Sequence, residues 1–213
     1  MTASGCTVLL AGATSAAGLV TARALIDAGA RVIATGRSAE RLTALSEAGA
    51  QTEVADAASL SDMTALADRL GGVDAVIPLV GGWRGGGGLA GQSDEDLAAL
   101  LPALQAVRAT SRAFDAAIRG SDAGRFAIVS STAVERPLAG GANYASMKAA
   151  SEAWARAVAQ GYAKAARDAG EPQRAASVVF RAKGALNPEA LAGAIVGLWD
   201  ADAAELNDRI IGI

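Results

Sequence analysis

The chain has 213 residues, which is enough for one domain with a full core, and its net charge of −3 excludes the basic surface of a nucleic-acid-binding protein. No apolar stretch of about 18 residues runs without glycine or charge, so we expect no membrane association, and the lone cysteine, Cys6, indicates a small buried residue in a cytoplasmic protein. The absence of histidine excludes Ser-His-Asp and Cys-His hydrolases and most zinc and iron sites, so we expect no bound metal.

Short apolar runs alternate with amphipathic segments through the first half of the chain. The runs have the length and composition of strands, which are predicted at 7–11, 31–35, 51–55 and 73–80. The segments between them have apolar residues at helical spacing, and they predict helices at 16–30, 39–49 and 59–70. This alternation is typical of βαβ units, which form a parallel sheet with helices on both faces.

The second half continues the same pattern. It predicts three more strands, at 125–131, 175–180 and 208–213. It also predicts helices at 93–119, 143–169 and 188–199, the last with Pro188 in its first turn. The expected fold is therefore one doubly wound α/β domain over residues 1–213, with seven parallel strands and six helices.

The stretch AGATSAAG, residues 11–18, follows the first strand and opens the first helix. A glycine-rich turn at this junction lets the backbone approach a pyrophosphate, and the helix N-terminus adds N–H donors and a positive dipole. An ordinary tight turn is the alternative interpretation. The predicted dinucleotide-binding residues of this turn are Gly12, Thr14, Ser15, Ala16 and Gly18.

Two further residues are predicted to contact the adenosine half of a dinucleotide. Arg37 follows the second strand, where an Asp or Glu would bind the ribose 2′-hydroxyl of NAD, and a guanidinium there suits a 2′-phosphate. The sequence therefore predicts NADP(H) in preference to NAD(H), with a solvated surface arginine as the alternative. Asp56 follows the third strand and either binds the adenine amino group or caps a turn.

The stretch SSTAVERPLAGGANYASMK, residues 130–148, carries the candidate catalytic residues. Ser131 ends the fifth predicted strand, at the edge where open α/β sheets bind their ligands. Tyr144 lies near the start of the next helix, and Lys148 is one turn further on the same face. Because a nearby ammonium favours the phenolate, the pair is expected to act as a proton donor near neutral pH.

Together these residues resemble the short-chain dehydrogenase/reductase family over nearly the whole chain. The resemblance implies that Ser131 polarises a substrate carbonyl and that Tyr144 transfers the proton. It implies that Lys148 binds the nicotinamide ribose and lowers the pKa of the tyrosine, while hydride passes between the nicotinamide and the substrate carbon. Gly81, which ends PLVG where the family has N-N-A-G, is placed at the cofactor by the same resemblance. Family members pair through the two long helices, which implies a homodimer or homotetramer.

The chain departs from the family pattern at several places. Ala11 and Ala16 replace a Thr and a Gly of the family motif T-G-x-x-x-G-x-G, and no Asn precedes Asn143 to provide the usual relay residue of the long helix. After the sixth strand, FRAKGALN (180–187) lacks the family's P-G and its substrate lid. We therefore expect a site that is open on this side.

The glycine-rich stretch GGWRGGGG, residues 81–88, is a candidate cover for that open site. Trp83 is predicted to stack on a flat substrate and Arg84 to pair with an anion, with a flexible surface loop as the alternative. The segment VGGW also resembles dihydropteridine reductases of the same family.

The sequence as a whole predicts an NADP(H)-dependent enzyme that reduces the carbonyl or imine of a small, bulky or aromatic molecule. Three alternatives remain open at this point. In the first alternative, the enzyme is a dihydropteridine-type reductase. In the second, the scaffold catalyses a cyclisation, isomerisation or dehydration without net redox change. In the third alternative, the protein is a non-catalytic sensor that binds a dinucleotide.

Overall fold

Seven parallel strands lie side by side in one sheet in the computed structural model, which describes residues 2–213. In chain order the strands are β1 (Thr7–Ala11), β2 (Arg31–Gly36), β3 (Gln51–Val54), β4 (Ala75–Pro78), β5 (Gly124–Ser131), β6 (Ala175–Ala182) and β7 (Ile210–Gly212). Their order across the sheet is β3-β2-β1-β4-β5-β6-β7. The chain thus builds outward from β1 in one direction and then returns to add β4 on its other side. This reversal leaves a crevice at the carboxyl ends of β1 and β4, where ligands bind in doubly wound folds.

Helices cover both faces of the sheet. They are α1 (Ala16–Asp27), α2 (Ala39–Glu47), α3 (Leu60–Leu70), α4 (Asp94–Ala113), α5 (Asp115–Gly120), α6 (Ala142–Ala169), α7 (Pro188–Val196) and α8 (Ala203–Leu206). Helices α1, α2 and α7 pack on one face, and α3 to α6 pack on the other. None of the helices in the described part of the chain combines the length and apolar character needed to cross a bilayer.

The central strand β1 shows how the sequence divides the core between the two faces. Val8 and Leu10 point into the core beneath α1 and α7, whereas Leu9 and Ala11 point into the core beneath α4 and α6. Both sets are fully buried, as expected for the period of two in a strand that is covered on both sides. Cys6 is also buried, which raises the pKa of its thiol and agrees with the expected packing role.

The differences from the predicted elements that bear most on the fold lie around α4, β4, β6 and β7. The predicted helix 93–119 is broken at Phe114, whose buried ring turns the chain toward β5, so that α4 and α5 are separate. The predicted strand 73–80 is shorter, since β4 pairs with β1 only from Ala75 to Pro78 and with β5 only at Ala75 and Val76. Strand β6 extends to Ala182 because all eight of its residues pair with β5. Strand β7 is shorter than predicted and follows the unpredicted helix α8.

Arg125 is a fully buried cation at the amino-terminal end of β5. Its guanidinium donates to carbonyl oxygens only, at distances of 2.7–3.3 Å, and these belong to Leu198, Gly124, Arg174 and Ala201. The side chain therefore joins the sheet to the segment after α7, at the end opposite to the crevice.

Candidate active site

The turn between β1 and α1 requires glycine at both of its ends. Gly12 has φ +75°, and a Cβ there would clash with Val80 in the segment after β4. A Cβ on Gly18 would clash with the backbone carbonyl of Ala13. Ser15 caps α1 and accepts a hydrogen bond from the Gly18 N–H at 3.2 Å. The turn therefore presents a close-packed backbone and a helix N-terminus toward the crevice.

Ala16, one of the two residues that depart from the family motif, lies on the exposed side of this turn. It is the first residue of α1, its side chain is exposed, and it lines the main cavity of the protein together with Ser15 and Ala17. The methyl group therefore faces the space in which a ligand would lie.

Two arginines lie at the carboxyl end of β2. Arg37 is exposed directly after the strand, and Arg41 extends from α2 to donate to the Thr14 carbonyl at 3.4 Å. Gly36, which precedes Arg37, leaves room for the Thr14 methyl group, so the strand end and the β1–α1 turn are in contact. The sequence analysis did not single out Arg41, because its link to Thr14 spans 27 residues.

Asp56 has a structural role in the turn after β3. Its Oδ1 accepts the Ala58 N–H at 2.9 Å, and its own N–H donates to Asp62 Oδ2 at 3.0 Å. One carboxylate oxygen of Asp56 therefore caps this turn, as one of the two interpretations predicted. Binding of adenine by the other oxygen stays a prediction.

Ser131, Tyr144 and Lys148 line one cavity of about 1370 Å³ at the carboxyl edge of the sheet. Ser131 is the last residue of β5, and its hydroxyl accepts the backbone N–H of Ala133 at 3.2 Å. Tyr144 lies in the first turn of α6, and Lys148 follows one turn later, with Nζ 5.7 Å from the centre of the Tyr144 ring. Gly81, on the segment after β4, also lines this cavity.

The electrostatics of the pair differ from the expected ones. Burial raises the pKa of Tyr144, and the influence of the Ser131 hydroxyl only partly opposes this effect. Burial lowers the pKa of Lys148 to about 8, against the opposing influence of the Glu152 carboxylate. The amine of Lys148 donates to the Val129 carbonyl at 2.7 Å, and the lowering of the tyrosine pKa by Lys148 stays a prediction.

A buried ionic network lies one turn beyond Lys148. Glu152 accepts hydrogen bonds from Ser130 at 2.6 Å and from two nitrogens of Arg181 at 2.9 and 2.6 Å. Arg181 also contacts Glu135 at 2.6 Å, in the segment after β5. The network ties α6 to β5 and β6 directly behind the candidate catalytic residues. Its members are 22 to 46 residues apart in the chain, so no local sequence signal identifies it.

The glycine-rich segment after β4 is anchored beside Tyr144. The side chain of Gln92 donates to three carbonyl oxygens, those of Gly86, Gly88 and Gly140, at 3.0–3.3 Å. Its Oε1 accepts the backbone N–H of Asn143, which immediately precedes Tyr144. The segment is therefore bound to the start of α6, and the sequence analysis did not predict this link.

The two predicted substrate residues of this segment have different positions. Trp83 is 61% exposed and lines the cavity, as a substrate-stacking residue would. Arg84 does not line the cavity, since its guanidinium lies 4.0 Å from Asp96 and donates to the Trp83 carbonyl. The prediction that Arg84 binds a substrate anion is therefore not supported by its position.

The wall that α4 contributes to the cavity is apolar. Its two lining residues there are Ala103 and Val107. Since neither side chain carries a polar atom, this wall provides no replacement for the relay Asn that the family resemblance implies. The short stretch after β6 also contributes lining residues, namely Gly184, Ala185 and Leu186.

The sequence model of the short chain dehydrogenase family matches residues 6–166. This span contains the β1–α1 turn and all three candidate catalytic residues. The chain therefore belongs to the short chain dehydrogenase family, whose members are oxidoreductases that bind a nicotinamide dinucleotide. No curated protein sequence matches the chain.

Solved structures of the same fold align with almost the whole chain. A protein described provisionally as a betaketoacyl-ACP reductase has 20% identity and a TM-score of 0.82, over 99% of this chain and 96% of its own. A short chain dehydrogenase from Escherichia coli CFT073 has 20% identity and a TM-score of 0.85, over 98% and 96%. One from Shigella flexneri 2a, complexed with NADP, has 19% identity and a TM-score of 0.85, over 98% and 97%. The predicted family and doubly wound fold are thus confirmed.

Proposed function

We propose that the protein is an NADP(H)-dependent reductase of a ketone or a related C=O or C=N group, with Tyr144 as the proton donor. The observation that carries this proposal is that Ser131, Tyr144 and Lys148 line the same cavity as the N-terminus of α1. A pure dinucleotide sensor needs no proton donor at this place.

The residues present fit a nicotinamide dinucleotide. The backbone around Gly12 is close-packed, the N-terminus of α1 opens onto the cavity, and a Cβ added to Gly81 would lie 4.0 Å from Lys148 Nζ. In our proposal the α1 N-terminus holds the pyrophosphate and Lys148 holds the nicotinamide ribose. When bound, the nicotinamide supplies a hydride to the carbonyl carbon.

Ser131 and Tyr144 then act on the carbonyl oxygen. Their hydroxyl groups both donate to this oxygen and stabilise the negative charge that develops as the C=O electron pair moves onto it. The Tyr144 proton completes the alcohol, and the raised pKa keeps the phenol protonated and available at neutral pH. Lys148, with a pKa of about 8, is mostly protonated at pH 7 and can therefore donate to the ribose hydroxyl groups.

The preference for NADP(H) is supported by the two arginines at the end of β2. Arg41 donates to the Thr14 carbonyl in the β1–α1 turn, and Arg37 is exposed directly after β2. No Asp or Glu stands between this turn and Arg37 except Asp27, at the far end of α1. Guanidinium groups bind phosphate with paired, charge-assisted hydrogen bonds. The NADP found in the Shigella flexneri structure is in keeping with this preference.

Titration of the protein with NADPH and NADH, followed by nicotinamide fluorescence, tests the cofactor. We expect NADPH to bind at least tenfold more tightly, and Arg37→Ala and Arg41→Ala each to reduce this ratio. Arg23→Ala, an exposed position on α1, serves as the control and should leave the ratio unchanged. Equal binding of the two cofactors would remove the NADP(H) preference. If neither binds, the redox mechanism gives way to a repurposed scaffold.

A screen of carbonyl compounds that follows loss of NADPH absorbance tests the reaction. Turnover of ketones with stoichiometric NADPH oxidation is the expected result. Because Trp83 lines the cavity, a quinonoid dihydropterin belongs in the same screen, and selective turnover of it would favour the pteridine-type alternative. Conversion of a substrate without NADPH consumption would contradict the proposed reduction.

A further inference from the structure

The wall of the cavity beyond Tyr144 is formed by large apolar side chains that are exposed. Trp83 is 61% exposed and Leu138 is 72% exposed, and both line the cavity together with Leu186. Burying such surface is favourable, so an occupant with a flat apolar body would be stabilised between these side chains. The apolar wall thus indicates the shape of the occupant but not its charge.

One of the charged residues that line the cavity has no charged partner in the described part of the chain. The charged residues that line the cavity are Glu135, Arg136 and Lys148. Glu135 is paired with Arg181 at 2.6 Å, although Arg181 also pairs with Glu152. Lys148 donates to the Val129 carbonyl and, in our proposal, holds the nicotinamide ribose. Arg136 is exposed and makes no ion pair or side-chain hydrogen bond within residues 2–213. Its guanidinium is therefore available to a ligand.

The position of Arg136 connects it to the reacting group. It lies on the segment that joins Ser131 to Tyr144, and both of these residues line the same cavity as Arg136. A substrate whose carbonyl oxygen lies at these two hydroxyl groups extends along the cavity wall formed by this same segment. The planar guanidinium can then hold a carboxylate through two parallel hydrogen bonds.

We propose that Arg136 forms an anion subsite, and that the substrate is a carbonyl compound with an apolar, preferably aromatic, body and a carboxylate. The reaction assigned to this substrate rests on the proposed reductase function. The subsite takes the role that the sequence alone assigned to Arg84, which the structure pairs with Asp96 instead.

The subsite can be tested by binding alone, without cofactor or turnover. The probes are 4-phenylbutanoate and 4-phenylbutanamide, which share an apolar body and differ in charge. Isothermal titration calorimetry of the full chain should show the carboxylate binding about three- to tenfold more tightly than the amide, as expected for a partly exposed charge pair. Arg136→Ala should bring the ratio of the two dissociation constants to about one. Arg136→Lys should retain part of it.

Arg84→Ala is the matched control, because it removes an exposed arginine near the cavity that does not line it. It should leave the ratio at the wild-type value. An unchanged ratio in Arg136→Ala, equal binding of both probes by the wild-type protein, or no binding of either probe at millimolar concentration would each overturn the subsite. Since none of these results depends on NADPH, they are distinct from a failure of the reductase proposal, which the cofactor titration and the carbonyl screen reveal.

Discussion

The amine of Lys148 donates to the carbonyl of Val129 at 2.7 Å, on the strand that ends in Ser131. This contact joins α6 to β5 and sets the distance between the lysine and the two hydroxyl groups of the site. It also places an amine in a poorly solvated position, where its pKa falls to about 8. Burial of the charged Lys148 amine therefore lowers the free energy of unfolding of the protein.

Replacement of Lys148 by methionine should change stability in a pH-dependent way. The fall of the pKa from 10.5 to about 8 corresponds to about 3 kcal/mol for a fully buried amine, and partial exposure of Lys148 reduces this to about 2 kcal/mol. Loss of the hydrogen bond to Val129 costs about 1 kcal/mol. Lys148→Met should therefore stabilise the protein by about 1 kcal/mol at pH 7.

The sign of this effect should reverse at high pH. Between pH 8 and 10.5 the unfolded chain binds the lysine proton more than the folded chain does, so wild-type stability rises with pH and the advantage of the variant disappears. Urea unfolding at several pH values measures this, with the exposed Lys164→Met as control. A difference that stays constant with pH would show that the amine is not desolvated.

Replacement of Tyr144 by phenylalanine should abolish most of the reduction while leaving cofactor binding largely intact. Loss of a general acid typically lowers the rate by about 10²–10⁴-fold. Steady-state kinetics and NADPH titration measure the two effects. A variant that retains more than a tenth of wild-type turnover would exclude Tyr144 as the proton donor.

Tyr162→Phe is the matched control for that variant. The Tyr162 hydroxyl is buried and has no hydrogen-bond partner among residues 2–213. Removing an unpaired buried hydroxyl should stabilise the protein by about 1 kcal/mol in urea unfolding and leave turnover unchanged.

The pH profile of reduction should report the raised pKa of Tyr144. Because reduction needs the protonated phenol, kcat/KM should stay level through neutral pH and fall only above about pH 10, the ordinary tyrosine value. Stopped-flow measurement at limiting substrate separates this effect from product release. A fall centred near pH 7 would instead mean that Lys148 lowers the tyrosine pKa in the complex, as the family resemblance implied.

Replacement of Gln92 by alanine should release the glycine-rich segment from α6. The variant loses the hydrogen bonds from the Gln92 amide nitrogen to three carbonyl oxygens. It also loses the bond that Gln92 Oε1 accepts from the Asn143 N–H. We expect faster hydrogen exchange over residues 81–91, a severalfold rise in KM and a loss of about 1–2 kcal/mol in stability. Gln105→Ala, on the exposed face of α4, should do none of these. Unchanged hydrogen exchange over residues 81–91 in the Gln92 variant would show that the Gln92 hydrogen bonds do not hold the segment in place.

Replacement of Arg125 by methionine should destabilise the fold strongly without touching the site. It leaves four carbonyl oxygens at the base of β5 without their donor, which should cost about 3 kcal/mol or more in urea unfolding. The folded fraction of this variant should keep the wild-type KM, since Arg125 lies at the end of the sheet opposite to the site. A raised KM would mean that a change at this end of β5 alters the structure of the site.

Local patterns were sufficient to predict the alternation of strands and helices, the β1–α1 turn and the Tyr144–Lys148 pair. The period of two in β1 and the helical spacing of the amphipathic segments are set by backbone geometry over a few residues. The pairing of two chains through α4 and α6 stays a prediction that light scattering can test. The break at Phe114 escaped prediction because it depends on burial of that ring in the assembled core.

What the sequence by itself determined is thus the class of fold, the family and the candidate catalytic residues, because each depends on neighbours within a turn or a strand. Only the tertiary structure decided which arginine faces the cavity, how Gln92 holds the glycine-rich segment, and that Glu152 and Arg181 support the site from behind. These contacts join residues 29 to 48 positions apart. The physical reason is that such contacts form between elements that only the packed sheet brings together, and no local periodicity encodes them.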